Sequence, residues 1–325
     1  MQSSFKKLAV AFFTISMILT SASVNCFAAT KQITIGTSSA SGAWMMLAST
    51  ISMLLNDNIK EVNATPVPSP RGSSENIETI VTGEREMGFA MANIADAAAN
   101  GTTPFDKPIK GLYGWFSAHY GQWYLLARED SGIKTFADLK GKRIGIGLPG
   151  DGDETLNKAV FPMLGLSWTD FRPESDALSG AIDSIKQNQI DAISYVGAPK
   201  LAMFGELMIS KKMRLIEFSP EQLDQITEAF PYLVVKDMPQ SDFPKLVMPS
   251  ANAKVIAMNH LMLCSENIPE QDMYEYTKLI FDNIETIHEA NNVFEVITVE
   301  NAVKGMPLPF HPGAVRYYKE KGVLK

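Results

Sequence analysis

The chain has 325 residues, of which 46% are hydrophobic, 9% aromatic and 20% charged, and its net charge is −7. That length and balance suit about two domains with substantial cores and exclude a disordered or low-complexity chain. The acidic balance makes nucleic acid a poor partner, although it leaves the sign of any single pocket open.

Lys6 and Lys7 precede an apolar run from Leu8 to Leu19, and Ala28 or Ala29 supplies a small cleavage residue. Charge, apolar core and small residue, in that order, are the pattern of a secretory signal, expected over residues 1–29. The run falls short of the ~20 apolar residues of a membrane span, with an uncleaved anchor as the alternative. Cys26 follows Asn25, which is too large for a lipid-attachment site. Loss of the segment removes Lys6, Lys7 and no acid, which takes the net charge from −7 to −9. Cys264 then stands alone, so no disulfide is expected and the core carries the stability.

Beyond the leader, short apolar runs alternate with helical patterns, which predicts an α/β fold. Strands are expected at Ile33–Thr37, Val62–Val67, Met87–Met91, Gly111–Ser117, Arg143–Gly147, Ile190–Val196 and Arg214–Phe218. Helical faces are formed by Leu47, Ile51 and Leu54, by Ile77, Ile80 and Val81, and by Leu178, Ile182 and Ile185. Met273, Thr277, Ile280, Ile284 and Ile287 predict one long amphipathic helix that starts near Pro269. Gln122–Ala127 and Lys254–Asn259 read as extended connectors. Two crossings of that kind would make residues 30–122 plus 256–325 one lobe and 123–255 the other.

Three polar, glycine-containing loops each stand between a strand and a helix. They are Gly36–Gly42, Pro70–Asn76 and Leu148–Thr155. Helix N-termini present free N–H groups and a positive dipole end, and Ser and Thr hydroxyls add adaptable donors. In an open α/β sheet such loops sit at the carboxyl ends of strands, where ligands bind. Plain helix capping by Ser73, Ser74 and Asp153 is the alternative for each loop, but three in one chain favour a pocket.

Gly145, Gly147 and Gly150 match G-x-G-x-x-G, with Asp170 about twenty residues on. Asp151 and Asp153 directly after it set carboxylates where a pyrophosphate would lie, so no nicotinamide cofactor is expected. Asp151, Asp153 and Thr155 begin a calcium-loop spacing, yet its twelfth position is Pro162. His119, His260, His288 and His311 show no paired metal spacing. No nucleophile elbow, phosphate-binding Walker loop or zinc-protease pattern is present.

The residues also carry a family resemblance. The stretches ITIGTSSASGAWMML, PRGSSENIETIVTGEREMGFAMANIADAAANG, DSGIKTFADLKGKRIGIGLPGDGDET and QNQIDAISYVGAPK, and above all ENAVKGMPLPFHPGAVRYYKEKG, resemble the TAXI family of solute receptors that serve TRAP transporters. The resemblance covers nearly all of residues 31–325. It implies a type II-like, two-lobed periplasmic-binding-protein fold with a ligand cleft between lobes joined by two hinge crossings. It also implies a non-enzymatic, monomeric periplasmic receptor for an amino acid or organic acid, and a sodium-coupled TRAP membrane component as partner. An ABC-type receptor of the same fold, or an extracytoplasmic enzyme, is the alternative.

On this reading Ser38, Ser39 and Ser41, with Ser73, Ser74 and Asn76, donate to a carboxylate. Arg71 pairs with it in a fork, or is an ordinary surface arginine. Asn93 and Asp96 stand where the family's third strand turns into the cleft, with helix capping the alternative for Asp96. Trp44 and Tyr120 form an apolar wall, or are simply core aromatics. Tyr195 and Pro199 follow the strand that lines the second lobe. The sequence departs from the family pattern at Ser38, Ser39, Ala40 and Trp44. It departs again at Asp151 and Asp153, which replace small uncharged residues. Those acids favour a cationic or zwitterionic group, or an acid bridged by a cation.

Overall fold

β1 (Lys31–Gly36), β2 (Val62–Val67) and β3 (Met87–Met91) are each followed by a helix: α1 (Ala43–Asn58), α2 (Gly72–Thr82) and α3 (Ala92–Asn100). The computed structural model describes residues 30–38 and 42–325, so the expected leader and Ser39, Ala40 and Ser41 lie outside the described residues. β1 pairs in parallel with both β2 and β3. Leu47, Ile51 and Leu54 of α1 pack with Ile33, Ile35 and Phe89 on one face of these strands. Ile77 and Ile80 of α2 pack with Ala90 on the other. Neighbouring residues on a strand point to opposite faces, so Phe89 and Ala90 serve different layers. The chain therefore leaves β1 on one face and β2 on the other, which makes the carboxyl ends of β1 and β3 a topological switch point.

β4 (Leu112–Arg128) leads into a second unit: β5 (Arg143–Gly145), α4 (Gly152–Met163), β6 (Arg172–Glu174), α5 (Leu178–Lys186), β7 (Ala192–Gly197) and α6 (Ala202–Ser210). β5 lies parallel between β6 and β7. Leu156, Val160 and Phe161 of α4 join Ile144 on one face; Ile182 of α5 and Phe204 of α6 join Ile193 on the other. The first unit's arrangement is thus repeated, with its own switch point between β5 and β7. Asp191, just before β7, binds Arg143 and Arg128. Burial would raise its carboxyl, but the two guanidiniums hold it at about 2.

β8 (Met213–Leu215), α7 (Pro220–Ala229), β9 (Leu233–Pro239) and β10 (Asn252–Ser265) return the chain to the first unit. It closes with α8 (Glu270–Asp282), α9 (Ile284–Ala290), α10 (Val299–Ala302) and α11 (Pro312–Glu320). The sheet order is β2-β1-β3-β10-β4-β7-β5-β6, with β8 on β4 and β9 on β10. β4 pairs with β10 up to Gln122 and with β7 from Gln122 onward. β10 pairs with β9 from Asn252 to Met258 and with β4 from Ala257.

Four expectations change. The two extended connectors are the interiors of β4 and β10, unbroken strands of 17 and 14 residues. The expected long terminal helix divides at Asn283 into α8 and α9. The strands expected over Arg143–Gly147 and Arg214–Phe218 are shorter, at Arg143–Gly145 and Met213–Leu215. β6 and β9 carry no strand signal, because β6 is a three-residue exposed edge with Pro173 at its centre and β9 exposes the consecutive Val234 and Val235, which breaks alternation.

Asn76 clamps the first switch point. It is fully buried, and its Nδ2 donates to Thr37 O and Phe89 O, both at 2.8 Å. Its Oδ1 accepts from Ser69 Oγ at 2.5 Å and Arg85 Nη1 at 2.8 Å. Gly36 has no side chain because a Cβ there would overlap that Oδ1. Asn76→Ala leaves several buried groups unpaired at about 1–3 kcal/mol each. Urea denaturation is expected to show a loss of about 2–4 kcal/mol; a loss below about 1 kcal/mol would mean that water replaces the clamp.

Candidate functional site

The loops that leave the carboxyl ends of β1, β2 and β3 meet those that leave β5 and β7. Two hydrogen bonds join the units across this seam. Ser74 Oγ, in the first turn of α2, donates to Gly150 O at 2.7 Å. Asn93 Nδ2, in the first turn of α3, donates to Gly152 O at 2.8 Å. Ser73 is buried and its Oγ accepts from Met91 N at 3.0 Å, so its own proton is free to be donated. The start of α4 comes very near β3: a Cβ on Gly152 would overlap the Met91 sulfur.

Asp151 and Asp153 stand on the second unit's side of the seam. Asp151 caps α4, with Oδ1 accepting from Glu154 N at 2.8 Å and Oδ2 from Leu148 N at 2.7 Å. Asp153 is buried and its Oδ1 accepts from Val196 N, at the end of β7, at 2.7 Å. Among the described residues its Oδ2 has no hydrogen-bond partner. Burial, with a smaller push from Glu154, raises the Asp151 carboxyl to about 6. Burial and then Asp151 raise Asp153 well above the usual carboxylate range. Tyr195 lies close to both: burial, then Asp153 and Asp151, push its hydroxyl upward.

The G-x-G-x-x-G loop is filled by its own acids. The N–H groups of Leu148 and Glu154 are bound by Asp151, and that of Gly150 by Glu154 Oε2 at 2.8 Å. A pyrophosphate needs those donors, so this loop is no dinucleotide cradle. Among the described residues no group of three or more His, Cys, Asp or Glu side chains is placed to hold a metal.

The remaining expected site residues divide. Ser38 lies in the β1–α1 loop, where its carbonyl accepts from Ser69 N at 2.8 Å; Ser39 and Ser41 lie outside the described residues. Arg71 is exposed and spends its guanidinium on Glu78 at 2.6 Å. It lines a shallow depression of about 570 Å³ on the outside of α2, to which the second unit contributes nothing. Asn76 is consumed by the clamp. Asp96 is half-buried, accepts from Asn100 Nδ2 at 3.1 Å and has its carboxyl raised by burial. Tyr120 lies under the Lys236 ammonium, 5.2 Å from its ring centre. Thr155 and Pro199 are half-buried on the α4 and β7 sides.

Trp44 is joined to a group that spacing along the chain conceals. Its Nε1 donates to His260 Nδ1 at 2.8 Å, and His119 Nε2 approaches the same atom at 3.1 Å. Indole N–H only donates, so neutral His260 carries its proton on Nε2, which, like His119 Nδ1, is buried without a partner among the described residues. Burial lowers His119 to about 4, and burial followed by His119 lowers His260 well below its ordinary value. Residues 119 and 260 are direct partners in the β4–β10 ladder, beside a register shift. Only that register reveals the pair.

Facing carboxyl-end loops on two α/β units, linked by two shared strands, define a two-lobed periplasmic-binding-protein fold. Two solved structures share it at TM-scores of 0.52 and 0.50. A Xanthomonas citri protein bound to ATP superposes with a TM-score of 0.52 at 8% identity, covering 90% of this chain and 96% of that one. A structure from work on glutathione import through GshT and the cystine ABC importer TcyBC of Streptococcus mutans gives 0.50 at 9% identity, covering 81% and 94%. The alkanesulfonate-binding protein SsuA of Xanthomonas axonopodis pv. citri, bound to MOPS, gives 0.43 at 17%, covering 89% and 83%. The chain itself belongs to the NMT1-like family, whose model matches residues 35–322.

The two acids carry a linkage with a definite sign. A carboxyl raised in the folded state binds protons more tightly there than in the unfolded chain, so stability falls as pH rises through the folded value. Asp153→Asn keeps an oxygen acceptor for Val196, Asp151→Asn keeps one for either Leu148 or Glu154 but not both, and the two together remove the buried charge. The double variant is expected to melt above the wild type at pH 8, by on the order of 1–3 kcal/mol in stability. The difference should shrink as pH falls through about 6. An equal or lower melting temperature at pH 8 would mean that the acids cost nothing in place.

Proposed function

We propose that the chain is an extracytoplasmic receptor that holds one small polar solute, an amino acid or organic acid, between its lobes and delivers it to a membrane transporter. It acts as a monomer and carries out no chemistry on the solute. The observation that carries this reading is the seam: Ser74 and Asn93 reach from one lobe to the Gly150 and Gly152 carbonyls of the other. Such bonds exist only when the lobes are together, so a molecule that fills the seam stabilises the closed form by differential binding. The lobes are residues 30–122 with 256–325, and residues 123–255; the change of β4's partner at Gln122 and of β10's near Ala257 supports those bounds. The order of charge, apolar core and small residue at the N-terminus supports export. No described helix is long and apolar enough to cross a membrane.

Two membrane partners have specific support. An ABC importer is favoured by the neighbours, because the Streptococcus mutans structure is described together with one. A TRAP component is favoured by the TAXI-like C-terminal segment, whose Pro309 carbonyl and His311 amide bond the Gly114 backbone of β4. Vesicles that contain each candidate membrane component separate the two. Receptor-dependent uptake driven by ATP assigns the chain to the ABC class, and uptake driven by a sodium gradient assigns it to the TRAP class.

The receptor reading itself is tested by a thermal-shift screen of amino acids, dicarboxylates and oxo acids. A ligand at a hundredfold excess over Kd adds about 2.7 kcal/mol of stability, so one chemical group should give large positive shifts, and X-ray scattering should show compaction with that same group. Turnover of an ester or amide by the protein, with no shift from any small polar compound, would contradict it.

A further inference from the structure

We propose that the cleft selects a ligand bearing a cationic nitrogen, seated between Asn93 Oδ1 of the first lobe and the Asp151–Asp153 pair of the second. The proposal rests on the receptor reading above and names the ligand class for that same site. Asn93 is 4% exposed, and one arm of its amide is already used, with Nδ2 donating to Gly152 O at 2.8 Å. The other arm, Oδ1, is buried without a hydrogen-bond partner among the described residues. A buried acceptor left unpaired is costly and calls for a donor. The residue that Nδ2 grips stands between Asp151 and Asp153 in the chain, so the unpaired oxygen is at the acids' side of the seam.

Among the described residues neither acid has an ion-pair partner. Lys158, on the same helix, pairs with Glu154 at 2.8 Å, and Arg71 pairs with Glu78 outside the seam. Asp153 Oδ2, Asn93 Oδ1 and the Gly150 and Gly152 carbonyls are all acceptors. Loop amides that would greet an anion are taken by Asp151 and Glu154. An ammonium or guanidinium supplies several donors and a positive charge at once, and charge-assisted bonds are about twice as strong as neutral ones. Because the acceptors come from both lobes, the cationic nitrogen also draws the lobes together. A second carboxylate in the same place would meet these acceptors with no donor of its own to offer them.

Calorimetry with size-matched probes tests this at pH 8. The probes are 1,5-diaminopentane, L-lysine and L-arginine as nitrogen cations, glutarate as the anion and 1,5-pentanediol as the neutral control. At least one cation should bind the wild type, and its affinity should fall more than tenfold in D151N/D153N, which retains every backbone acceptor described above. Asn93→Leu should weaken the same probe. Binding of glutarate or pentanediol with no binding of any cation would overturn the proposal and leave the receptor reading standing, as would a cation whose affinity is unchanged in D151N/D153N. If no probe binds and the protein purified from its native host carries no small molecule in native mass spectrometry, the proposal and the receptor reading both fall.

Discussion

β4 and β10 each continue from one lobe into the other, and the ladder between them, which ends at Gln122 and Ala257, is the constraint on which the other contacts depend. Most strands belong to one lobe only, but these two change partners midway: β4 leaves β10 and takes up β7 at Gln122, and β10, on the edge away from β4, exchanges β9 for β3 between Met258 and His260. Any relative movement of the lobes must be absorbed where the partners change. The ladder is irregular close to that point, with register shifts at His260/Leu261 and Met262/Leu263. Such bulges bend a strand and raise its twist. The His119–His260–Trp44 group packs at this crossing, with both rings neutral because burial disfavours the charged form. Protonation there would set a charge into the closed core, so the crossing is built to stay uncharged at neutral pH.

From that crossing, the two switch points face each other with opposite chemistry. The first lobe brings small donors, Ser73, Ser74 and the Asn93 amide, on a frame held rigid by Asn76. The second brings carbonyls and carboxylates. A glycine-rich turn before a helix often serves as an anion cradle, because its amides are free and the dipole is positive. In Leu148–Thr155 the amides are spent internally, and the helix dipole stabilises Asp151 and Asp153 instead of a bound phosphate. The donors that such a turn offers an anion are thereby occupied by the side chains of Asp151 and Glu154.

Much of this was legible in the sequence for a physical reason: helices and parallel strands that pack on both faces leave strong periodic signals. Ile77 and Ile80, or Leu47 and Ile51, announce buried helix faces, and Met87–Met91 is buried along its whole length. Leu233–Pro239 leaves no such mark, because its consecutive Val234 and Val235 are both exposed and break the alternation. The candidate loops were legible from their position between strand and helix. The fate of each side chain was not, since it depends on partners far along the chain. Arg71 looks like an anion fork until Glu78 is seen to hold it, and Asn76 looks like a ligand donor until Thr37 and Phe89 are seen to use it. His119 and His260 lie 141 positions apart, and no spacing rule joins them; a strand register does.

The central claim is that a small solute holds two lobes together across the Ser74–Gly150 and Asn93–Gly152 seam. Distance measurement between dyes at Lys60→Cys and Lys186→Cys reads this most directly, because both positions are exposed and Cys264, in the core, is shielded from labelling. The expected result is a broad distribution of separations in the stripped protein that collapses to a single short distance when ligand is added. One unchanging distance, in the presence of a compound shown to bind, would contradict the claim.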